Sequence, residues 1–147
     1  MTTVELKEIT NETLRPILKL DVRPDQQGYV APNAVSISEA YFNRDEAWFR
    51  GIYAEGEPVG FVMLSLNPGK GEYWVWRYMV DAKHQGKGYG KVAMAHVLDF
   101  VRTQPDAKQL FLSHVKGNEP TAAFYKSLGF RYTGKEEDGE LVMAIDL

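Results

Sequence analysis

The residues best suited to chemistry lie in one short segment, His84-Gln85-Gly86-Lys87-Gly88-Tyr89-Gly90-Lys91. Glycines at alternate positions let a backbone turn tightly and come close to a ligand. The segment runs straight into a periodic apolar stretch that reads as a helix. The free N–H groups of the first helical turn, together with the helix dipole, form an anion site, and a pyrophosphate is its natural occupant. Two familiar phosphate loops are excluded. The Gly-Lys-Ser/Thr ending of a P-loop is missing, and Gly86, Gly88 and Gly90 do not fall on the dinucleotide spacing, which Lys91 also breaks. No acidic residue stands at the ribose position of a dinucleotide fold. The bland alternative is a ligand-free connector, but glycines crowded at a helix entrance cost backbone entropy and answer a need. Further on, Asn118 and Tyr125 lie about two helical turns apart, which puts an amide and a phenol on one helix face roughly 10 Å from each other. Tyr125 also reads as a core tyrosine packed with Phe124 and Phe130.

The elements that must position these groups follow from periodicity. Val4, Leu6 and Ile9 suggest a first strand. Asn11 offers an N-cap to a helix carrying Leu14, Ile17, Leu18 and Leu20, with Pro16 in its first turns. Asp21 to Val35, with Pro24, Gly28 and Pro32, reads as an ordered loop. Ser36 to Phe42 is a second helix, with Ser36 and Glu39 in the spacing of a capping box. Trp48 to Ala54 and Val59 to Leu66 form a hairpin about Glu55-Gly56-Glu57-Pro58. Tyr73 to Val80 is a strong strand whose strict alternation sets Tyr73, Val75, Arg77 and Met79 on one face and Trp74, Trp76, Tyr78 and Val80 on the other. Both faces are largely apolar, which predicts a central strand covered on both sides. A long helix from Gly88 to Arg102 buries Val92, Val97, Leu98 and Val101. Leu110 to Ser113 is a short strand, Pro120 to Leu128 a helix closed by Gly129, and Phe130 to Thr133 and Leu141 to Ile145 are final strands about Asp138-Gly139. The expected fold is α/β: a mixed, mostly antiparallel central sheet of six to seven strands with about four helices on both faces, in one domain over 1–147.

Composition narrows the function. The chain of 147 residues has 44% hydrophobic and 25% charged residues, the balance of an ordinary globular domain. It has no cysteine, which excludes disulfides, a thiol nucleophile and thiolate metal sites. The three histidines show no ligand spacing, so no metal is expected. A net charge of −3 argues against nucleic acid as a partner and suits a cationic small substrate. No apolar run approaches the ~20 residues of a membrane span, and Met1 to Thr10 resembles no signal or transit peptide. A cytoplasmic location, with no membrane partner, is the simplest expectation.

Gln85-x-x-Gly88-x-Gly90 resembles the Gln/Arg-x-x-Gly-x-Gly/Ala signature of the GNAT superfamily of N-acetyltransferases. Asn118-x-x-x-Ala122-x-Phe124-Tyr125-x-x-x-Gly129-Phe130 is similar to that superfamily's later helix motif. The resemblance covers roughly Gly51 to Leu147. It implies that acetyl-CoA is the cosubstrate, that Gln85, Gly86, Lys87, Gly88, Tyr89, Gly90 and Lys91 hold its phosphates, and that Tyr78, Met79 and Val80 line its pantetheine arm. It implies further that Asn118 contacts that arm and that Tyr125 is the acid that returns a proton to the sulfur. A homodimer is common in the superfamily and is left open here.

The segment from Leu20 to Ala40 is similar to the acceptor wall of bacterial spermine/spermidine (diamine) acetyltransferases, which implies a small-molecule amine acceptor, a polyamine or diamine. Tyr29, Glu39, Trp74 and Trp76 are the candidate substrate residues, since a cationic chain needs carboxylates and aromatic faces. Glu39 reads equally as the capping-box partner of Ser36, and the tryptophans as core or dimer packing. Glu72, His84 and His114 are considered as bases and none is chosen; His96 is assigned to packing. Acetylation of another amine (a protein N-terminus, lysine, an aminoglycoside, an amino acid) and a silent acyl-CoA-binding module remain alternatives.

Overall fold

The computed structural model describes residues 3–147, so the first two residues of the N-terminal segment lie outside it. The elements run β1 (Val4–Lys7), α1 (Leu14–Leu18), α2 (Asn33–Tyr41), β2 (Ala47–Ala54), β3 (Glu57–Asn67), β4 (Glu72–Val80), α3 (Tyr89–Arg102), β5 (Gln109–His114), α4 (Glu119–Ser127), β6 (Arg131–Glu137) and β7 (Glu140–Asp146), with short 3-10 turns at Pro24–Gln26 and Ala82–His84. The strands form a single sheet of seven in the order β1-β2-β3-β4-β5-β7-β6. All neighbours are antiparallel except β4 and β5. This is the α/β architecture expected.

Helices cover both faces. On one, Ala93, Met94, Val97 and Val101 of α3 and Tyr125 of α4 pack against Ile52, Val62, Leu64, Tyr73, Val75, Leu110, Leu112 and Met143. On the other, Ile17 of α1 and Ala40 of α2 cover Tyr53, Phe61, Met63 and Met79. Val92, expected in the core, is 43% exposed, because the buried stripe of α3 is set by Ala93, Met94, Val97 and Val101.

Three local expectations need correction. First, β4 does not alternate strictly. Its pairing with β3 passes from Met63↔Arg77 to Leu64↔Val75, so Trp76 is an extra residue in a β-bulge. Tyr73, Val75 and Tyr78 therefore face the α3 side, while Trp76 and Met79 face the α1/α2 side. Second, α2 begins at Asn33 after Pro32, so Ser36 is a fully buried interior residue rather than an N-cap. Its hydroxyl turns back to the Pro32 carbonyl at 3.5 Å, and the capping box with Glu39 is not formed. Third, α1 starts after Thr13, not Asn11. The Thr13 hydroxyl accepts from the Thr10 N–H at 2.8 Å, so a local turn consumes it.

Candidate active site

The chemistry gathers where β4 ends, α3 begins and α4 passes over both. β4 and β5 are paired only at Trp74↔Phe111. Toward Val80 and His114 the two strands run on without pairing, which leaves a gap in the sheet. The register Phe61↔Met79 and the bond from the Asp81 N–H to the Val59 carbonyl, 2.7 Å, show which residues exchange bonds with β3. By antiparallel alternation the Val80 N–H and carbonyl turn away from β3, into that gap. The Val80 carbonyl accepts from Gln85 Nε2 at 2.9 Å.

The loop after β4 is shaped by positive backbone angles, +79° at Gly86 and +83° at Gly88. A Cβ built at either position meets nothing within 4 Å, so glycine is required there by backbone conformation and the surroundings are open. Gly88 lies at the N-cap of α3 and has no side chain to bond the helix's first N–H groups. The first bond from this end is Val92 N–H to the Gly88 carbonyl, 3.3 Å, so the N–H groups of Tyr89, Gly90 and Lys91 face outward without helical partners. Lys83, Lys87 and Lys91 are exposed around them, and no ion pair among the described residues includes any of the three. Free donors, a helix dipole and unpaired cations suit an anionic ligand.

Gly90 serves packing. A Cβ there would stand 3.4 Å from the Phe124 ring and 3.5 Å from Val80. Phe124 of α4 stacks near Tyr78 of β4, with ring centroids 6.3 Å apart, and the Tyr78 hydroxyl donates to the Gly90 carbonyl. These contacts bind β4, α3 and α4 into one corner. Burial, with Tyr125 adding to it, holds the Tyr78 hydroxyl far above the usual tyrosine range, so it stays a neutral donor. A residue that sequence reasoning passed over supports this corner from the other side. A Cβ at Gly60 of β3 would collide with the Met79 carbonyl oxygen, so only glycine lets β3 run against this end of β4.

Tyr125 is packed edge-on between Phe124 and Phe130, with centroids at 5.2 Å and 5.5 Å. The ring is therefore a core ring as well as a candidate acid. Its hydroxyl has no hydrogen-bond partner among the described residues and does not rank with the fully enclosed, unpaired atoms, where Arg77 Nε stands alone. Burial raises its pKa far above the ordinary value, so it carries its proton at neutral pH. Asn118 precedes α4 at the N-cap position, yet its side chain makes no capping bond. The amide is thus free for another partner.

The other predicted residues separate. Trp76 sits in the bulge, half-buried on the α1/α2 side with Met79. Glu39 of α2 reaches Arg77 of β4, at 3.2 Å, and so approaches the same side as one half of an ion pair. Tyr29 is 43% exposed on the loop between α1 and α2. Trp74 lies at the far end of β4, six residues or roughly 20 Å from Val80. It packs on Phe111 at 5.2 Å, donates to Glu72 at 2.8 Å and lines a broad groove with Tyr132 and Lys135. The structure does not bring Trp74 or Glu72 to the glycine loop. His114 has both ring nitrogens engaged, by the Val115 carbonyl and the Tyr132 hydroxyl, each at 2.8 Å, and offers no free base. His96 bonds the Val4 carbonyl at 2.9 Å and pins β1 to α3. Among the described residues no group of three His, Asp or Glu is placed to hold a metal ion, and no helix is long and apolar enough to cross a membrane.

A mixed sheet whose two parallel strands pair only at Trp74↔Phe111, with a glycine loop opening a helix beside the end of β4, is the frame in which an acyl-carrier-dependent transferase is expected. Residues 7–130 match the acetyltransferase (GNAT) family, and the chain belongs to that family. It is 28% identical to the spermine/spermidine N(1)-acetyltransferase of Bacillus subtilis (strain 168), over 98% of this chain and 99% of that one. It is 29% identical to the streptothricin acetyltransferase of Streptomyces lavendulae, over 81% of this chain and 59% of that one. The fold matches the PaiA N-acetyltransferase of Thermoplasma acidophilum, solved in complex with coenzyme A, with a TM-score of 0.74, 15% identity and 99% of each chain covered. The protein is an N-acetyltransferase that uses acetyl-CoA and transfers its acetyl group to an amine.

Proposed function

We propose that the acceptor is a polyamine or diamine carrying a primary amine, acetylated by direct transfer in a ternary complex. The observation that carries this reading is the likeness to the Bacillus subtilis spermine/spermidine enzyme along nearly the whole of both chains, the N-terminal wall included. The surroundings agree with it. Trp76 and Tyr29 offer aromatic faces on the α1/α2 side, which attract alkylammonium groups. Glu39 adds a carboxylate, shared with Arg77.

Bound acetyl-CoA supplies an activated acetyl thioester. In this reading the N–H groups of Gly86 to Lys91, with Lys87 and Lys91, hold its pyrophosphate, and the Asn118 amide bonds its arm. The backbone of Met79 and Val80 lies along the gap, with the Val80 N–H placed to hold the carbonyl oxygen as negative charge builds on it. An alkylammonium has a pKa near ~10 and sheds a proton before its nitrogen attacks. The C–N bond forms as the C–S bond breaks. The Tyr125 hydroxyl, kept protonated by burial, donates to the sulfur as it leaves, and the proton released by the nitrogen as the amide forms restores that hydroxyl by way of solvent.

The test is release of free thiol from acetyl-CoA with spermidine, spermine, putrescine, lysine, an aminoglycoside and a histone-tail peptide. We expect kcat/KM for a polyamine at least about tenfold above the others, a difference of ~1.4 kcal/mol in transition-state binding. A preference for lysine, the peptide or the aminoglycoside would discard the polyamine acceptor and keep the chemistry.

A further inference from the structure

The loop between α1 and α2 buries almost nothing. From Asp21 to Val30 only Val22 is buried, and a single 3-10 turn at Pro24–Gln26 is its only regular structure. Its position is set instead by polar bonds to the segment that leads from β4 into the glycine loop. The Asp21 N–H donates to Asp81 Oδ1 at 2.9 Å, and the Ala82 N–H donates back to the Asp21 carbonyl at 2.8 Å. Asp81 Oδ2 also accepts from the Lys83 N–H at 3.3 Å, so this carboxylate serves both segments at once.

A second bridge runs between two side-chain amides. Gln85 Nε2 donates to the Val80 carbonyl and to Gln26 Oε1, each at 2.9 Å. Both partners are acceptors, so the Gln85 amide has one orientation that satisfies them. Gln26 Oε1 accepts in addition from the Arg23 N–H at 3.1 Å, which fixes the second amide as well. The Gln26 carbonyl then accepts from the Tyr29 N–H at 2.9 Å. A continuous chain of bonds thus links the start of the glycine loop, through Gln85 and Gln26, to the residue that presents the Tyr29 ring on the acceptor side.

We propose that Gln26, seconded by Asp21, is a positioning residue that couples the two ligand sites: filling the glycine loop fixes Gln85, and Gln85 through Gln26 fixes the acceptor-side loop. The proposal rests on the assignment of coenzyme A to residues 85–91. Each bond is partly exposed and adds only modestly to stability, so the loop is weakly held until its anchor is fixed. A coupling of this kind is reciprocal, and five- to tenfold coupling lies within the usual range for linked sites.

The test is hydrogen exchange with coenzyme A as the probe, on the wild type, on Gln26→Leu, which removes the acceptor, and on Gln26→Glu, which keeps one. Coenzyme A is expected to slow exchange in both 85–91 and 21–29 of the wild type. In Gln26→Leu, protection of 85–91 stays and that of 21–29 is lost; Gln26→Glu restores it. In steady state, Gln26→Leu raises KM for the amine about fivefold at saturating acetyl-CoA, while kcat and the affinity for coenzyme A measured without amine stay within about twofold. Wild-type protection of 21–29 surviving in Gln26→Leu, or wild-type protection confined to 85–91, overturns the coupling alone. Coenzyme A that binds without protecting 85–91 overturns the placement of the cofactor, and the coupling with it.

Discussion

On one face of the sheet α3 sinks Ala93, Met94, Val97 and Val101, all without exposed surface, into a continuous apolar core. On the other face α1 is five residues long, and two of the three buried residues of α2, Asn33 and Ser36, are polar. The first layer is held by burial at about 25 cal/mol per Å² of apolar surface. The second has a smaller apolar core of its own and is pinned in addition by individual hydrogen bonds. These include Asn33 Nδ2 to the Ile17 carbonyl at 2.9 Å, Glu39 to Arg77, and the bridges from Asp21 and Gln26. The difference teaches where function is hard and easy to change. The corner around the glycine loop is tied to the core that folds the protein, so altering it endangers the fold as well. The loop between α1 and α2 hangs on directional bonds that single substitutions can redraw.

The comparison breaks or sharpens on three variants. The largest effect is expected from Tyr125→Phe. The ring stays in its aromatic nest, so coenzyme A affinity by calorimetry holds within about twofold while kcat falls about 10²-fold. The pH profile follows from the same hydroxyl. Its raised pKa keeps the proton on, so an alkaline loss of kcat due to Tyr125 begins only above the ordinary tyrosine value of 10.0. Turnover of Tyr125→Phe equal to wild type would leave the residue with packing alone. Next comes Gly88→Asp. The side chain meets open space, but it must adopt a positive angle and carries negative charge at a helix N-terminus. Coenzyme A should bind roughly tenfold more weakly, with the melting temperature lowered by no more than a few degrees by the strained angle. Unaltered affinity would remove the phosphates from this loop. The smallest effect is expected from Asn33→Leu, which removes one of two donors to the Ile17 carbonyl and leaves it the Leu20 N–H at 3.2 Å. Losing that bond costs about 1 kcal/mol and lowers Tm by roughly 2–4 °C. Coenzyme A affinity should not change. A Tm equal to wild type would show that the α1/α2 layer needs no such bond.

Some features of the site can be read along the chain because they are local. Gly86, Gly88 and Gly90 enter a helix, and Asn118 and Tyr125 share a helix face; short-range geometry alone relates their positions. The order and number of strands and helices were legible for the same reason, since each rests on periodicity within a dozen or so residues. Errors arose where one residue interrupts a period. Trp76 in its bulge reverses the facing of all that precedes it in β4, and a bulge has no signature in an apolar run. Ser36 and Glu39 have capping-box spacing, but Pro32 starts the helix a turn earlier.

What the sequence by itself determined is therefore the architecture and, through its resemblance to the family, the acetyl-transferring class of the protein. Tertiary structure alone decided which candidates meet. It separated Trp74 and Glu72 from the glycine loop, because a strand of nine residues carries its two ends far apart. It joined Glu39 to Arg77 and Gln26 to Gln85 across 38 and 59 residues of sequence. Pairings of that kind depend on how layers stack, and no local pattern of residues encodes them.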